Sequence, residues 1–482
     1  MEQFIRLNEN DNVAVALQDM EPGIQLTIDG QPIIIREPIQ QGHKFAMTDI
    51  DENVIVTKDN FPIGIASAKI LAGSHAHSHN ISSPVRKHSY EYEPQLKEKL
   101  ALLMDREIRV YHRKNWDIGI RNELWIIPTV SHVNKTAQLI KEQFLKELPK
   151  LEVDGIHVFE HSRGISQFGT DLENTRNILQ NIALHPNTGG VLVVGLGPEN
   201  NHVEEFRNRL GDFDQDRIHF IVANDHEDEI KAGVSHLHEI HQVMKNDYRS
   251  TSLLRSLKVG FKYGDFDGWT AVTASPLLAA LSDYLIKSGG TVVLTGIQHM
   301  LGSAQQMLER IEKEEVFQKV VGIAQDMNYS QDHVDIRDGI TTMEEKSLGY
   351  INNMGKSNIV DAIQYGERLN RSGVNLLQTP SNDIVAATAL GAAGCQMVLY
   401  ATSEGTPFGT FVPTVKIATN SELFGKKPNW FDYNAENYLI STKEEAIQSF
   451  INYICDVASG KWVKNEYEGY REIAIWKRGA TL

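Results

Sequence analysis

Three histidines at alternate positions, His75, His77 and His79, are the residues whose type and spacing most directly suggest chemistry in this chain. In an extended stretch, alternate side chains share one face of the strand, so the three imidazoles would lie together. Neutral imidazole is a good ligand for borderline divalent metals such as iron and zinc. The spacing therefore predicts a metal site. The alternative is a polar, histidine-rich strand end that binds no ion.

A second candidate site lies between Met397 and Asp432, where an apolar run is followed by a turn rich in glycine, threonine and proline. The turn contains Thr406, and the β-prone run that follows it carries Lys416. Hydroxyls, backbone N–H groups and an ammonium group that meet after a strand suit an anionic or polyhydroxylated ligand. The alternative is an ordinary strand–turn–strand with a solvated lysine.

Further candidates stand where helices are predicted to begin. Glu345 is a possible metal-binding carboxylate and Lys346 a base or an anchor for a substrate carboxylate, unless both belong to a solvated helix start. Asp267 lies in a predicted turn from strand to helix, where α/β proteins often bind substrate. Asn382 and Asp383 open another helix, so Asn382 could equally be an N-cap.

Arg121 and Asn122 precede an apolar run, 124–130, and so stand at the entrance of a predicted strand. A guanidinium there could bind a carboxylate through two parallel hydrogen bonds. It could also pair with a structural acid, and the residues alone favour this second role.

The composition indicates a globular protein of two or three domains, with 482 residues, 41% hydrophobic and 23% charged. The net charge of −16 argues against nucleic acid or an anionic membrane as a partner. Cys395 and Cys455 are far apart and lack metal-ligand spacing. There is no apolar run of the roughly 20 residues that span a bilayer, and the polar N-terminus does not resemble a signal peptide. We therefore expect a cytoplasmic protein.

The surrounding elements predict an α/β protein with a small β-rich N-terminal domain and a larger α/β body in two parts. Short β-branched runs separated by turn residues indicate the β module, and alternating strands and helices indicate mostly parallel, doubly wound sheets. The predicted segments are the β-rich domain 1–82, a linker 83–105, the first α/β domain 106–250 and the second α/β domain 251–482. The sequence has neither a dinucleotide fingerprint nor a P-loop. It also predicts one long helix over 301–326 and a closing strand over 471–477.

The stretch GTPFGTFVPTVKIATN, 405–420, resembles the C-terminal signature of the altronate/galactarate dehydratase family. RNELWIIPTV, 121–130, and GSHAHSHN, 73–80, are similar to family segments too, and the resemblance covers nearly the whole chain. It implies a SAF-type N-terminal domain, loss of water from a sugar acid to give a 2-keto-3-deoxy acid, and ferrous iron as the divalent metal. The expected roles are catalysis for Asp267, Glu345, Lys346 and Lys416, substrate binding for Arg121, Asn122, Asn382, Asp383, Thr406 and Asn420, and metal binding for His75, His77 and His79.

The chain departs from the family where its relatives carry cysteines. Five other residues replace these cysteines, and an acid replaces an arginine: they are His132, Ile165, Pro198, Tyr263, Tyr350 and Glu404. Thiolates are soft iron ligands, so their loss changes the metal site.

Three hypotheses follow from these departures. The first, which we adopt, is dehydration of a hexonic sugar acid, with altronate as the expected substrate. The second is a repurposed member that binds a sugar acid or a partner without turnover. The third is lyase chemistry on another 2-hydroxy acid, such as galactarate or a sulfo-substituted acid. The sequence leaves open whether the protein forms a homo-oligomer.

Overall fold

The computed structural model describes residues 3–83, 90–98, 106–326 and 339–479. The predicted linker thus lies partly outside the described residues. Within those ranges, no helix combines the length and the apolar character needed to cross a membrane.

The N-terminal unit consists of short strands that form three small antiparallel sheets. The sheet orders are β1-β2-β5-β8, β3-β4 and β6-β7-β9. Asp29 and Gly30 connect β3 to β4 with positive φ angles of 51° and 77°, as a two-residue hairpin turn requires. The strands are β1 (Phe4–Ile5), β2 (Val13–Ala16), β3 (Gln25–Ile28), β4 (Gln31–Ile34), β5 (Lys44–Ala46), β6 (Ile55–Lys58), β7 (Phe61–Ala66), β8 (His75–Ala76) and β9 (Ile81–Ser82).

The middle unit is built on a four-stranded parallel sheet of order β13-β12-β14-β15, next to a three-stranded antiparallel sheet of order β11-β10-β16. Its strands are β10 (Glu107–His112), β11 (Ile118–Gly119), β12 (Glu123–Pro128), β13 (Gly155–Val158), β14 (Thr188–Gly195), β15 (Ile218–Val222) and β16 (Ser250–Leu253). Its helices are α1 (Asn134–Glu147), α2 (Gly169–Ala183), α3 (Val203–Arg209) and α4 (Glu229–Met244).

The C-terminal unit contains a seven-stranded parallel sheet of order β19-β20-β18-β17-β21-β22-β23. Its strands are β17 (Lys258–Tyr263), β18 (Thr291–Leu294), β19 (Ile359–Ile363), β20 (Gly373–Leu377), β21 (Met397–Thr402), β22 (Thr414–Ala418) and β23 (Tyr433–Asn434). Its helices are α5 (Gly268–Val272), α6 (Ala274–Lys287), α7 (Ile297–Met300), α8 (Ala304–Leu308), α9 (Glu314–Asp326), α10 (Met343–Asn352), α11 (Asp383–Ala392), α12 (Ser421–Lys426), α13 (Asn437–Ile440), α14 (Lys443–Ala458) and α15 (Lys464–Glu468).

The two parallel sheets share one hydrophobic cluster, in which Trp125 and Val191 of the middle unit pack with Val398 and Phe411 of the C-terminal unit. Burial of such apolar side chains between sheet and helix is the main source of the stability of the two units. The fold class predicted from the sequence is confirmed: a small β-rich domain precedes an α/β body with parallel sheets.

Two local predictions are wrong. The expected helix over 301–326 is interrupted between α8 and α9, where Ile311 forms a bridge with Ile359. The expected closing strand over 471–477 pairs with no sheet in the described part of the chain, although Ile473 and Ile475 are buried. The alternation of apolar residues in this segment comes from packing against the core. An alternating pattern does not by itself show that a segment pairs with another strand.

Close backbone contact sets the N-terminal unit on the C-terminal sheet. A Cβ atom on Gly268, at the start of α5, would lie 2.3 Å from the carbonyl oxygen of Gly42, and one on Gly339 would lie 2.5 Å from it. Only glycine allows this approach. The segment before β5 therefore lies over the turn that follows β17, at the carboxyl end of the parallel sheet.

Candidate active site at the carboxyl end of the seven-stranded sheet

A cluster of three histidines lies on the face of the N-terminal unit that covers the carboxyl end of the seven-stranded sheet. His43 directly precedes β5, and His75 lies on β8, which pairs with β5. Nδ1 of His43 and Nε2 of His75 are 3.0 Å apart, and the ring centroid of His77 is 5.2 Å from His43 and 5.0 Å from His75. One ligand atom from each ring lies within 4.8 Å of the others. We call these residues the histidine cluster.

Two members of the histidine cluster, His75 and His77, offer neutral nitrogen ligands at pH 7. Burial, followed by the neighbouring imidazoles and Lys44, lowers the pKa of His75 to about 3; burial and then Lys44 lower that of His77 to about 4. In the described structure, the Nε2 atom of His77 is buried and has no hydrogen-bond partner. Because imidazole nitrogens suit Fe, Zn, Ni and Cu, the donor set fits a borderline divalent metal.

His79 does not belong to this cluster, although alternation predicted that it would. The strand β8 ends at Ala76, and the chain then turns, with the side chain of Asn80 donating to the carbonyl of His75 at 2.8 Å. His79 is exposed on that turn, with its ring centroid 5.6 Å from that of His75. The structure therefore provides His43 as the third imidazole, a residue that sequence spacing could not connect to the other two.

A buried ion triad lies next to the histidine cluster. Glu345, in the first turn of α10, accepts from Lys58 at 2.7 Å and pairs with Lys44 at 3.0 Å, so that both carboxylate oxygens are engaged. Its Oε2 atom also accepts from the backbone N–H of Thr341 at 2.8 Å. These cations lower the pKa of Glu345 to about 2 against the opposing effect of burial. Glu345 thus joins the N-terminal unit to α10, and its observed contacts are structural; the catalytic role expected from the sequence stays a prediction.

A second cluster of charged side chains lies at the carboxyl end of β17. Lys262 pairs with Asp383 at 2.7 Å, and the hydroxyl of Tyr400 donates to the other oxygen of Asp383 at 2.7 Å. Strand order reverses beside β17, where β18 lies on one side and β21 on the other. Open α/β sheets bind ligands at such a switch point, outside the carboxyl ends of the strands. Asp383 therefore lies beside this switch point, and its substrate-binding role stays a prediction.

His299 lies in α7, which follows β18, with two lysines near it. Burial, and then the charges of Lys346 and Lys262, lower its pKa to about 3. Its Nδ1 atom is buried without a hydrogen-bond partner among the described residues, and its ring stacks on Tyr350 at 5.0 Å. A neutral imidazole that feels two nearby ammonium groups is suited to take a proton next to a bound anion.

The two tyrosines at expected cysteine positions come together at this end of the sheet. The rings of Tyr263 and Tyr350 are 5.4 Å apart, and the hydroxyl of Tyr263 donates to Asn353 at 2.6 Å. Burial raises the pKa of both phenols. Burial thus favours the neutral phenol at both positions.

The predicted substrate residues Arg121 and Asn122, just before β12, have structural partners. Arg121 is fully buried, and its guanidinium pairs with Glu466 through bonds of 2.6 and 2.7 Å. Asn122 accepts from Arg113 at 3.0 Å. The structural role of Arg121 that the sequence left open is thus the observed one, because its N–H groups are already used inside the protein.

Lys416 lies on β22, separated from β17 by β21, and contacts a different region. Its Nζ donates to the carbonyl of Thr406 at 2.9 Å and lies 5.5 Å from the ring centre of Tyr470. Burial lowers its pKa to about 8. The structure thus brings Lys346 and the histidine cluster to the same end of the sheet, whereas Lys416 supports the 406–408 turn.

Three predicted site residues act as helix N-caps. Asp267 accepts from the backbone N–H of Thr270 at 2.7 Å, Asn382 from that of Val385 at 3.0 Å, and Asn420 from that of Leu423 at 2.7 Å. Capping of this kind stabilises a helix start and explains these residue types without a ligand.

Sequence reasoning missed His43, Lys262 and His299. Each stands alone in its segment, so that no local spacing connects it to a second functional group. The available signal was position: Lys262 is next to the last residue of a buried strand and His299 follows the next strand of the sheet, where α/β sites form.

The lowered pKa values predict a pH-dependent stability for the metal-free protein. Between pH 6.5 and about 4, the unfolded chain protonates His75 and His77 while the folded chain does not, so stability falls as the pH falls through this window. The urea midpoint of wild type at pH 5 should lie below that at pH 7. A variant with His75→Gln and His77→Gln should lose less over the same interval. An equal loss in both proteins would contradict the assignment.

The fold and the site define an α/β protein with a SAF-type domain set over the carboxyl end of a parallel sheet. Three family models match in succession: the altronate/galactarate dehydratase SAF domain at residues 2–84, the second domain of D-galactarate dehydratase/altronate hydrolase at 110–245, and the C-terminal domain of D-galactarate/altronate dehydratase at 254–481. The chain belongs to the altronate/galactarate dehydratase family.

Individual relatives match over nearly their whole length. The chain is 45% identical to altronate dehydratase of Escherichia coli (strain K12) and 42% identical to altronate dehydratase of Bacillus subtilis (strain 168), with 100% of both chains covered in each case. Galactarate dehydratase (L-threo-forming) of Escherichia coli (strain K12) is 28% identical over 95% of this chain and 93% of its own. The resemblance inferred from the sequence signature is confirmed.

Proposed function

We propose that the protein is a hydro-lyase that dehydrates D-altronate to 2-keto-3-deoxy-D-gluconate. The observation that carries the proposal is the 45% and 42% identity over the entire chain to two altronate dehydratases. The geometry supports it, because imidazoles and lysines meet at the carboxyl end of the sheet, where an anionic sugar acid can be held.

The reaction must remove a proton from C2, beside a carboxylate. The resulting enediolate carries two negative charges, which fixed cations or a metal have to stabilise while a base holds the proton. Removal of the C3 hydroxyl then requires that a proton be delivered to it. Any assignment of residues must supply these three functions.

His43, His75 and His77 would hold a divalent cation, for which we propose Fe²⁺. When bound, the ion supplies Lewis-acid stabilisation of negative charge on the substrate carboxylate. The low pKa values of His75 and His77 keep these two imidazoles available as ligands at neutral pH.

Lys346 and Lys262, which pairs with Asp383 in the free protein, would bind the substrate carboxylate near His299. In the free protein, burial and then the charges of Lys346 and Lys262 disfavour protonated His299. A bound carboxylate would offset the two lysine charges, which raises the pKa of His299 toward the range of a useful base. The negative charge of the bound substrate thus makes His299 a stronger base for its deprotonation.

Nδ1 of His299 would accept the C2 proton as the C2–H bond breaks and its electron pair passes to the carboxylate. The electrons then form the C2–C3 double bond as the C3–O bond breaks. The departing hydroxyl takes the proton from His299 and leaves as water. The enol product tautomerises to the 2-keto-3-deoxy acid, so the step needs no further reactant.

The test is an assay of protein that has been purified without oxygen and freed of metal with a chelator. With D-altronate and added Fe²⁺, the protein should form 2-keto-3-deoxy-D-gluconate, and without metal it should form little. D-Galactarate and other 2-hydroxy acids serve as comparison substrates. Turnover of one of these alone would move the assignment to that acid, and absence of product from all of them would refute lyase activity.

A further inference from the structure

A second group of metal-ligand residues lies on the middle unit, on the edge strand β15 and the helix α4. Nδ1 of His219 is 3.0 Å from Nδ1 of His236, and Oε2 of Glu239 is 3.5 Å from the first nitrogen and 3.4 Å from the second. These three residues all belong to the four-stranded sheet and its helix, away from the sheet that carries the candidate active site.

The dimensions of this triangle match one face of a tetrahedral metal site. Zinc binds imidazole nitrogen and carboxylate oxygen at about 2.0–2.2 Å, which places neighbouring ligand atoms about 3.3 Å apart. The three observed separations, 3.0, 3.4 and 3.5 Å, scatter closely around that value. The fourth position, on the solvent side, would be open to water.

The scaffold fixes the ligands before any ion arrives. His236 and Glu239 are three residues apart on α4 and so share one helix face, which points them toward the same position. His219 lies on β15, and the parallel pairing of this strand with β14 fixes its backbone position opposite Leu192.

The ligand atoms remain accessible to an ion from solution. The exposed fraction of the side chain rises from 16% at His219 to 35% at His236 and 59% at Glu239. An ion could therefore enter without unfolding the domain, and two imidazoles and one carboxylate offer it a single compensating negative charge.

We propose that His219, His236 and Glu239 form a second, non-catalytic site for a borderline divalent cation of the Zn²⁺ type. By linking β15 to α4, the ion stabilises the middle unit without taking part in the reaction.

The experiment measures Zn²⁺ binding to the full-length chain in which His75→Gln and His77→Gln remove the histidine cluster. Equilibrium dialysis should find one Zn²⁺ per chain, and Zn²⁺ should raise the melting temperature because it binds the folded form. Adding His236→Ala should weaken binding by at least about tenfold and abolish the shift. His238→Ala, on the same helix but hydrogen-bonded to Glu147, should leave both unchanged.

The proposal is overturned if the background protein binds no Zn²⁺, or if His236→Ala binds as tightly as the background. Glu239→Gln, at the most exposed of the three positions, provides a second variant should His236→Ala lose its fold. Its Zn²⁺ affinity should fall while circular dichroism stays unchanged, and unchanged affinity would argue against the site. None of these outcomes depends on the proposed reaction.

Discussion

Replacing His77 by alanine is expected to lower the metal-dependent kcat/KM by about 100-fold or more and to reduce the metal content of the purified protein. The Nε2 atom of His77 is buried and has no hydrogen-bond partner among the described residues, so it is available as a ligand. Loss of residues that merely orient metal ligands already costs 10- to 100-fold, so loss of a ligand itself should cost at least as much. The measurement is kcat/KM for D-altronate with Fe²⁺, together with metal analysis.

His79→Ala is the matched control for this variant. It removes an imidazole two residues away that is exposed and lies outside the group of converging ligand atoms. It should keep wild-type activity and metal content. If His79→Ala were impaired as much as His77→Ala, the metal ligands would be His75, His77 and His79, as the sequence predicted. His43 would then not be a metal ligand.

Replacing Glu345 by glutamine is expected to lower the free energy of unfolding by about 3–5 kcal/mol. The change leaves Lys44 and Lys58 buried without their shared carboxylate, and removing one partner of a buried ion pair typically costs this much. The penalty arises because two ammonium groups stay out of water without compensation. Urea unfolding at pH 7, followed by circular dichroism, measures the change.

The control is the same substitution at Glu315, which pairs with Arg371 on an exposed surface. Exposed pairs are screened by water, so Glu315→Gln should leave the urea midpoint close to that of wild type. A loss below about 1 kcal/mol for Glu345→Gln would mean that the ion pairs of Glu345 stabilise the fold no more than exposed pairs do. That result would favour the catalytic role predicted from the sequence.

The architecture was largely predictable because each unit shows its own periodicity. Buried runs such as Val191–Gly195 and Met397–Tyr400 alternate with helical segments, which indicates parallel strands covered by helices. The break between α8 and α9 was not predictable, since it depends on a bridge between Ile311 and Ile359 that only the tertiary structure creates. The same holds for 471–477, where burial produced a strand-like pattern without strand pairing.

The site was predictable only in part. His75 and His77 are close in sequence, so their spacing was visible, whereas His43 reaches them through the pairing of β5 with β8. Arg121 stands in family-like text and resembled a carboxylate anchor, yet its partner, Glu466, is 345 residues further along the chain. Sequence shows which residue types are present, but long-range pairing decides which of them face a ligand and which face each other.

The Arg121–Glu466 pair also sets an order of events during synthesis. Arg121 leaves the ribosome early, but its buried partner is made 345 residues later. At about 5–20 residues per second, this interval is roughly 20–70 s. During that time the guanidinium must stay hydrated, because burying it unpaired is costly. The middle unit therefore reaches its final packing only after translation of the C-terminal segment, and a nascent chain stalled before Glu466 would be held in an incomplete, protease-sensitive form.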